Sequence, residues 1–184
     1  MDNSLTIDDI NDQFKSKIYS QDYSDKQKID GVTLYPLSIH VSEDGDFSEL
    51  VRINDKGEID GIPGFKLEQI NRTRLINGIV KAWHIHLEQD EIWYVNPEAH
   101  LLIGLFDARK NSPTAGFVMR FIMGGGKSQL LYIPKGVAHG SANLLNEPSV
   151  IWYFINKQFS SNKPDEMRLP WDTLGANFWE PKRD

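Results

Sequence analysis

The stretch Gly78-Ile79-Val80-Lys81-Ala82-Trp83-His84-Ile85-His86-Leu87-Glu88-Gln89-Asp90-Glu91 decides how this chain folds. Its first half reads as a strand. Residues two apart on a strand share a face, so His84 and His86 point the same way. The polar run Leu87 to Asp90 then turns the chain and is expected to bring Glu91 back on a neighbouring strand. A second segment, Pro134-x-Gly136-x2-His139-x3-Asn143, reads as a strand end, a tight turn and a third imidazole. Three imidazoles and a carboxylate meeting in one cavity suit a divalent ion such as Zn, Ni, Mn or Fe. The plainer alternative is that the histidines line a pocket as hydrogen bonders and hold no ion.

Around these segments, short runs rich in Val, Ile, Leu and aromatics recur between Gly, Pro, Asn and Asp. Strands are predicted at Thr33–Val41, Phe65–Asn71, Gly78–His86, Ile92–Val95, His100–Asp107, Phe117–Met123, Gln129–Ile133 and Val150–Asn156. Turns fall at Asp44-Gly45, Ile76-Asn77-Gly78, Asn96-Pro97, Ser112-Pro113 and Asn146-Glu147-Pro148. Gly124-Gly125-Gly126 reads as a hairpin turn rather than a phosphate loop, because no strand-loop-helix context surrounds it. Many short strands at regular spacing indicate a sandwich or barrel, not βαβ units. Ahead of them, Ile7, Ile10, Phe14 and Ile18 recur at three or four residues and predict a short helix from Leu5 to about Ile18. A polar arm follows from Tyr19 to Lys28. The division expected is an N-terminal helix and arm over 1–30 and one barrel domain over 31–184, with Lys163 to Asp184 packing as loops and a short helix.

The composition narrows the function. Cys is absent, so thiolate chemistry and disulfides are excluded, and any metal must be held by His and carboxylates. The net charge is −6 and the 20 basic residues are scattered, which argues against a nucleic-acid partner. No apolar run is long enough for a membrane helix, and the acidic N-terminus lacks the features of a secretory signal. A cytoplasmic protein with no membrane and no nucleic-acid partner is therefore expected.

The two histidine segments resemble the motifs of the cupin superfamily, G-x5-H-x-H-x3–4-E-x6-G and G-x5-P-x-G-x2-H-x3-N. The departures are Pro97 and Glu98 at the closing Gly of the first motif and Ser128 at the opening Gly of the second. The resemblance implies an all-β double-stranded β-helix, a jelly-roll barrel, with His84, His86, Glu91 and His139 as the metal set.

A longer resemblance covers nearly the whole chain after Lys28. Asp44-Gly45-Asp46-Phe47-Ser48-Glu49, Gln69-Ile70-Asn71 and Gly78 to His84 are similar to successive motifs of the dTDP-4-dehydrorhamnose 3,5-epimerase family. So are Phe106-Asp107-Ala108-Arg109 with Ser112-Pro113-Thr114-Ala115-Gly116, Ile133 to Gly140, Pro170-Trp171-Asp172 and Trp179-x-Pro181. That family belongs to the cupin superfamily and needs no metal and no organic cofactor. The resemblance implies proton transfer beside the carbonyl of a keto sugar, on a nucleotide, in a homodimer that shares an N-terminal strand.

Carried over by position, His84 is the base and Asp172 its orienter, while Glu49, Gln69, Asn71 and Lys81 contact nucleotide or sugar. The family lysine that steadies the enolate falls at Glu91, and the proton-returning tyrosine at or near Phe159. Its phosphate-gripping arginines fall at Asp44 and Lys81. An anion beside a developing enolate raises the barrier, so the usual mechanism cannot be copied across. The changes that lose the lysine also complete the metal set, which suggests a divalent ion as the electrophile. His84 as a ligand could not also be a free base, leaving Tyr153, Tyr132, Glu88 and Asp172 as candidates for proton transfer.

Three readings stay open: a keto-sugar epimerase or isomerase, a metal-dependent cupin enzyme of another class, and a non-catalytic sugar-binding relative. Trp83, Trp93, Tyr94 and Trp152 are expected to be barrel wall. His40 and His100 are expected to be structural or exposed, and Arg72 and Arg74 to meet either a phosphate or solvent.

Overall fold

The computed structural model describes residues 4–24 and 27–183. Its strands are β1 (Thr33–Pro36), β2 (His40–Ser42), β3 (Gly45–Phe47), β4 (Gln69–Leu75), β5 (Val80–Ile85) and β6 (Glu91–Val95). They continue as β7 (His100–Asp107), β8 (Val118–Gly124), β9 (Gln129–Ile133), β10 (Val137–Asn143), β11 (Ser149–Ile155) and β12 (Met167–Arg168). Two five-stranded antiparallel sheets, β1-β9-β6-β11-β4 and β12-β5-β10-β7-β8, face each other, and β2–β3 forms a separate hairpin. This is the expected all-β jelly-roll barrel. Trp93, Val95, Leu101, Ile103, Leu105, Leu131, Ile133 and Ile151 fill the space between the sheets. Each such side chain contributes about 1.5–3 kcal/mol on burial.

Both sheets are also covered outside. Ile59, Ile62 and Phe65 pack over Ile92, Tyr94, Leu130 and Phe154 on the first sheet. On the second, Trp179 of the tail packs with Trp83, Leu102, Ala138 and Ala142. The tail reaches the sheet because β7 carries glycine there. A Cβ on Gly104 would lie 2.6 Å from Phe178, 2.7 Å from Trp179 and 2.8 Å from Trp83.

Several sequence expectations need correction. Leu5 to Ile18 is not one helix: a 3-10 turn at Ile7–Asp9 and one α turn at Asp12–Lys15 replace it. Asn11 caps the second turn by accepting the Gln13 N–H, so the chain restarts there. Ile7, Phe14 and Ile18 are exposed, and a helix this short does not sustain itself without packing. Asp25 and Lys26 of the polar arm lie outside the described residues.

The strand expected over Thr33–Val41 ends at Pro36, which has no N–H for a ladder. β4 begins at Gln69 rather than Phe65, because Gly64 turns the chain (φ +82°) and Phe65 packs over the first sheet. Gly124 to Lys127 is a turn closed by one antiparallel bridge, as expected, but β8 and β9 on either side then part into different sheets. The same holds for β5 and β6, so Glu91 comes from the wall opposite His84 and not from a paired neighbour.

Candidate active site

The pocket is a cavity of about 270 Å³ between the sheets. β5 supplies Lys81 and His84, and His86 follows directly. β6 supplies Glu91 and Trp93, β10 His139, β11 Tyr153, and β4 Asn71 and Thr73. A bulge in the β10–β5 pairing between His139 and Ser141 re-aims β10 beside the site, as bulges next to active sites do. At the end of that strand, the Asn143 amide donates to the carbonyls of Leu75, Ile76 and Glu147, tying down two turns. The conspicuous Asn of the second motif is thus a structural tie.

Glu91 is buried and saturated with donors. It accepts from Trp93 Nε1 (2.6 Å), Gln89 Nε2 (2.9 Å) and His86 Nε2 (3.0 Å), with His139 Nε2 at 3.5 Å. Burial alone would push its pKa up, but His139, His86 and Trp93 hold it down at about 2. Burial lowers the pKa of His139; in His86 the Glu91 carboxylate outweighs burial and raises it.

His86 Nδ1 meets the Asp165 carbonyl, and His139 Nδ1 lies 3.0 Å from the Val137 carbonyl. A carbonyl only accepts, so both Nδ1 atoms carry hydrogen and both Nε2 atoms face Glu91. This is how metal-binding imidazoles are commonly oriented. One ligand atom from each of His86, Glu91 and His139 lies within 4.8 Å of the others. Two imidazole nitrogens and a carboxylate oxygen fit a divalent ion of the Zn, Ni, Mn or Fe kind.

His84, expected as the fourth ligand, stands outside that group. Its Nδ1 lies 3.3 Å from Glu166 Oε1, and its ring stacks on His139 with centroids 5.9 Å apart. Burial first, then His139 and Arg168, lower its pKa to about 4. At neutral pH it is therefore an uncharged imidazole, competent to take a proton. Arg168 pairs with Glu166 and keeps that carboxyl below its usual value despite burial.

Asp172 does not orient His84. It is exposed in a turn where its carbonyl accepts the Gly175 N–H; the carboxylate facing His84 is that of Glu166. Glu49 is likewise exposed, paired with Arg52 at 2.8 Å and away from the pocket lining. Asn71 and Lys81 do line the pocket, and Lys81 donates to Thr73 (2.8 Å). Gln69 sits at its margin, donating to Asn71 and accepting the Phe159 N–H.

Tyr153 lines the pocket edge-on to Trp93, and burial raises its pKa. Trp93 is more than barrel wall, since its indole N–H grips Glu91. Glu88 pairs with Lys157 and Lys163 at the rim, and Tyr132, pushed up to about 12 by burial, does not line the pocket. Phe159, the position to which the family resemblance carries the tyrosine, lines the pocket. The acid beside His84 went unforeseen: its only sequence signal was the pair Asp165-Glu166 after Pro164, which nothing local links to His84.

A family model described as dTDP-4-dehydrorhamnose 3,5-epimerase matches residues 26–182. The chain belongs to that family. The spore coat polysaccharide biosynthesis protein SpsL of Bacillus subtilis is 38% identical over 152 residues, 82% of this chain and 96% of SpsL. The solved dTDP-4-dehydrorhamnose 3,5-epimerase from Sulfolobus tokodaii is 27% identical, with a TM-score of 0.66 and 85% of each chain covered. ChmJ, a 3'-monoepimerase from Streptomyces bikiniensis solved in complex with dTDP-quinovose, shares the fold. Its TM-score is 0.67 at 18% identity, over 86% of this chain and 81% of ChmJ. The chain's barrel is that of the epimerase family, and its function is of the sugar-epimerase type.

Proposed function

We propose that the protein inverts a carbon beside the carbonyl of a keto sugar carried on a nucleotide diphosphate, with His84 as base and Tyr153 as acid. The His84–Glu166 pair inside the pocket carries this reading. The Glu166 carboxylate stands 3.3 Å from Nδ1, which favours the proton there and leaves the Nε2 lone pair free. Nε2 takes the proton from the sugar carbon; the C–H electrons move into an enolate. The Tyr153 hydroxyl then gives its proton to the same carbon. His84 and Tyr153 stand on β5 and β11, in opposed sheets, which suits removal from one face and return to the other. Burial keeps the tyrosine protonated until the enolate is there to receive the proton.

His86, Glu91 and His139 would hold a divalent ion in place of the family lysine. When bound, it supplies the positive charge that stabilises a developing oxyanion. Because three side chains make that site without His84, ligand and base need not be the same residue. A homodimer belongs to the same proposal, supported by the exposed Val41 and Phe47 on the β2–β3 hairpin.

The test is incubation of a dTDP-linked 4-keto sugar in deuterated water, followed by NMR, with elemental analysis of the purified protein. Deuterium should enter beside the carbonyl, be lost on chelation, and return on reloading with one of the four metals. Absence of exchange with every keto sugar tried would leave a sugar-binding protein without the chemistry. Full exchange in verified metal-free protein would remove the ion from the proposal and leave the base.

A further inference from the structure

We infer that Asp165 is the positioning residue of this pocket, setting the orientation of the His86 ring and the placement of Glu166 at once. The inference rests on reading the pocket as the active site. Four hydrogen bonds to one residue carry it. The Asp165 carboxylate accepts three consecutive backbone N–H groups, those of Leu87 (2.8 Å), Glu88 (2.8 Å) and Gln89 (2.9 Å). These form the turn between His86 and Glu91, an anion-binding nest filled by a side chain of the same protein. The Asp165 carbonyl faces His86 Nδ1 and, being only an acceptor, fixes hydrogen on that nitrogen. The next residue, Glu166, presents its carboxylate to His84.

The other ties of this wall are weaker. Lys157 and Lys163 reach Glu88 as part-exposed ion pairs, a class that contributes little. At the edge of β5, β12 pairs Met167 with Ile85 and Arg168 with His84, and Leu169 exchanges two backbone bonds with Trp83, beyond the segment that carries Glu166. With the Asp165 carboxylate removed, the wall loses its charged anchor. His86 then loses the carbonyl that orients its ring, and Glu166 loses its fixed distance from His84. Asp165 acts through these two residues and touches no reacting atom itself.

The test uses Asp165→Ala and Asp165→Asn in the full chain, with two readouts. The first is the side-chain 15N–1H spectrum: wild-type protein should show a slowly exchanging His86 Nδ1–H that is lost in Asp165→Ala. The second is turnover: kcat should fall about 10–100-fold with KM changed less than about threefold, and Asp165→Asn should fall between. A purely structural anchor would lower thermal stability and leave the His86 Nδ1–H signal and kcat of the folded protein alone. A folded Asp165→Ala that keeps the Nδ1–H signal and wild-type kcat overturns the inference. If Asp165→Ala does not fold, Asp165→Asn, which retains one acceptor oxygen, is read by the same two criteria. If wild-type protein proves inactive, the proposed function fails, and the His86 signal alone decides the role of Asp165.

Discussion

Replacing Glu91 by Gln removes one charge and turns one acceptor oxygen into a donor where three N–H groups converge. Trp93 donates to Oε2 at 2.6 Å, while Gln89 at 2.9 Å and His86 at 3.0 Å reach Oε1. Whichever way the new amide sits, its NH2 faces the indole N–H or the Gln89 amide. At least one buried donor is left without an acceptor, which costs about 1–3 kcal/mol. The bond from His86 also loses its charge assistance, about another 1 kcal/mol. Glu91 is buried, so solvent does not screen the loss. The total of about 2–4 kcal/mol is a large part of the stability of an ordinary domain and should lower Tm by about 5–15 °C. Urea unfolding of metal-stripped protein is the assay, read as a lower midpoint at unchanged slope. Metal uptake should fall at least about 100-fold in the same variant. A metal-free variant with the wild-type midpoint would refute the donor count, and undiminished uptake would refute Glu91 as a ligand.

Glu166→Gln should lower kcat by about 10²-fold or more, since the imidazole loses the acceptor that orients it, whereas Asp172→Asn should stay near wild type. The reverse ranking would restore Asp172 as orienter. In Tyr153→Phe, solvent deuterium should still wash into the sugar while inversion falls; equal loss of both would remove the tyrosine as acid. Gly104→Ala should cost about 1–3 kcal/mol by thermal unfolding, because Phe178, Trp179 and Trp83 crowd the added methyl. Asp107 accepts from Arg109, Ser112 and Thr114, chiefly Arg109, and these hold its carboxyl well below the usual range. Its stabilisation is complete above the ordinary carboxyl pKa of about 4 and drains away as pH falls through the lower folded value. Asp107→Asn should therefore be about 2–3 kcal/mol less stable at neutral pH, the part-exposed Arg109 being discounted, and lose less Tm than wild type on acidification below about pH 4.

Periodicity made the barrel legible, because strands such as His100–Asp107 and Gln129–Ile133 carry unbroken apolar runs between clear turns. β10 escaped notice: Val137-Ala138-His139-Gly140-Ser141-Ala142-Asn143 has almost no β-branched or aromatic residues, and its burial comes from neighbours. β4 was misplaced because its outward Arg72 and Arg74 hide the alternation of an edge strand with one solvated side. At the site, His86, Glu91 and His139 come together as their two segments suggested. His84 was assigned to the same group since residues two apart share a face, yet shared facing does not fix which partner a ring meets. The partner proved to be Glu166, more than eighty positions away, on a segment without periodic signal. The family resemblance likewise placed Asp172 beside His84, whereas the short β12 pairing brings the earlier acid there.

The missing side chain at Gly104 turns the outer face of β7 into a trough, and the aromatic tail is its filling. Arg120 fastens that filling by donating to the carbonyls of Phe178 (2.8 Å) and Glu180 (2.5 Å). Trp83, which the tail covers, is the residue immediately before His84. A chain cut ahead of Ala176 would uncover a greasy furrow behind the catalytic strand. Aggregation, more than slow turnover, is the first symptom to look for in such a truncation.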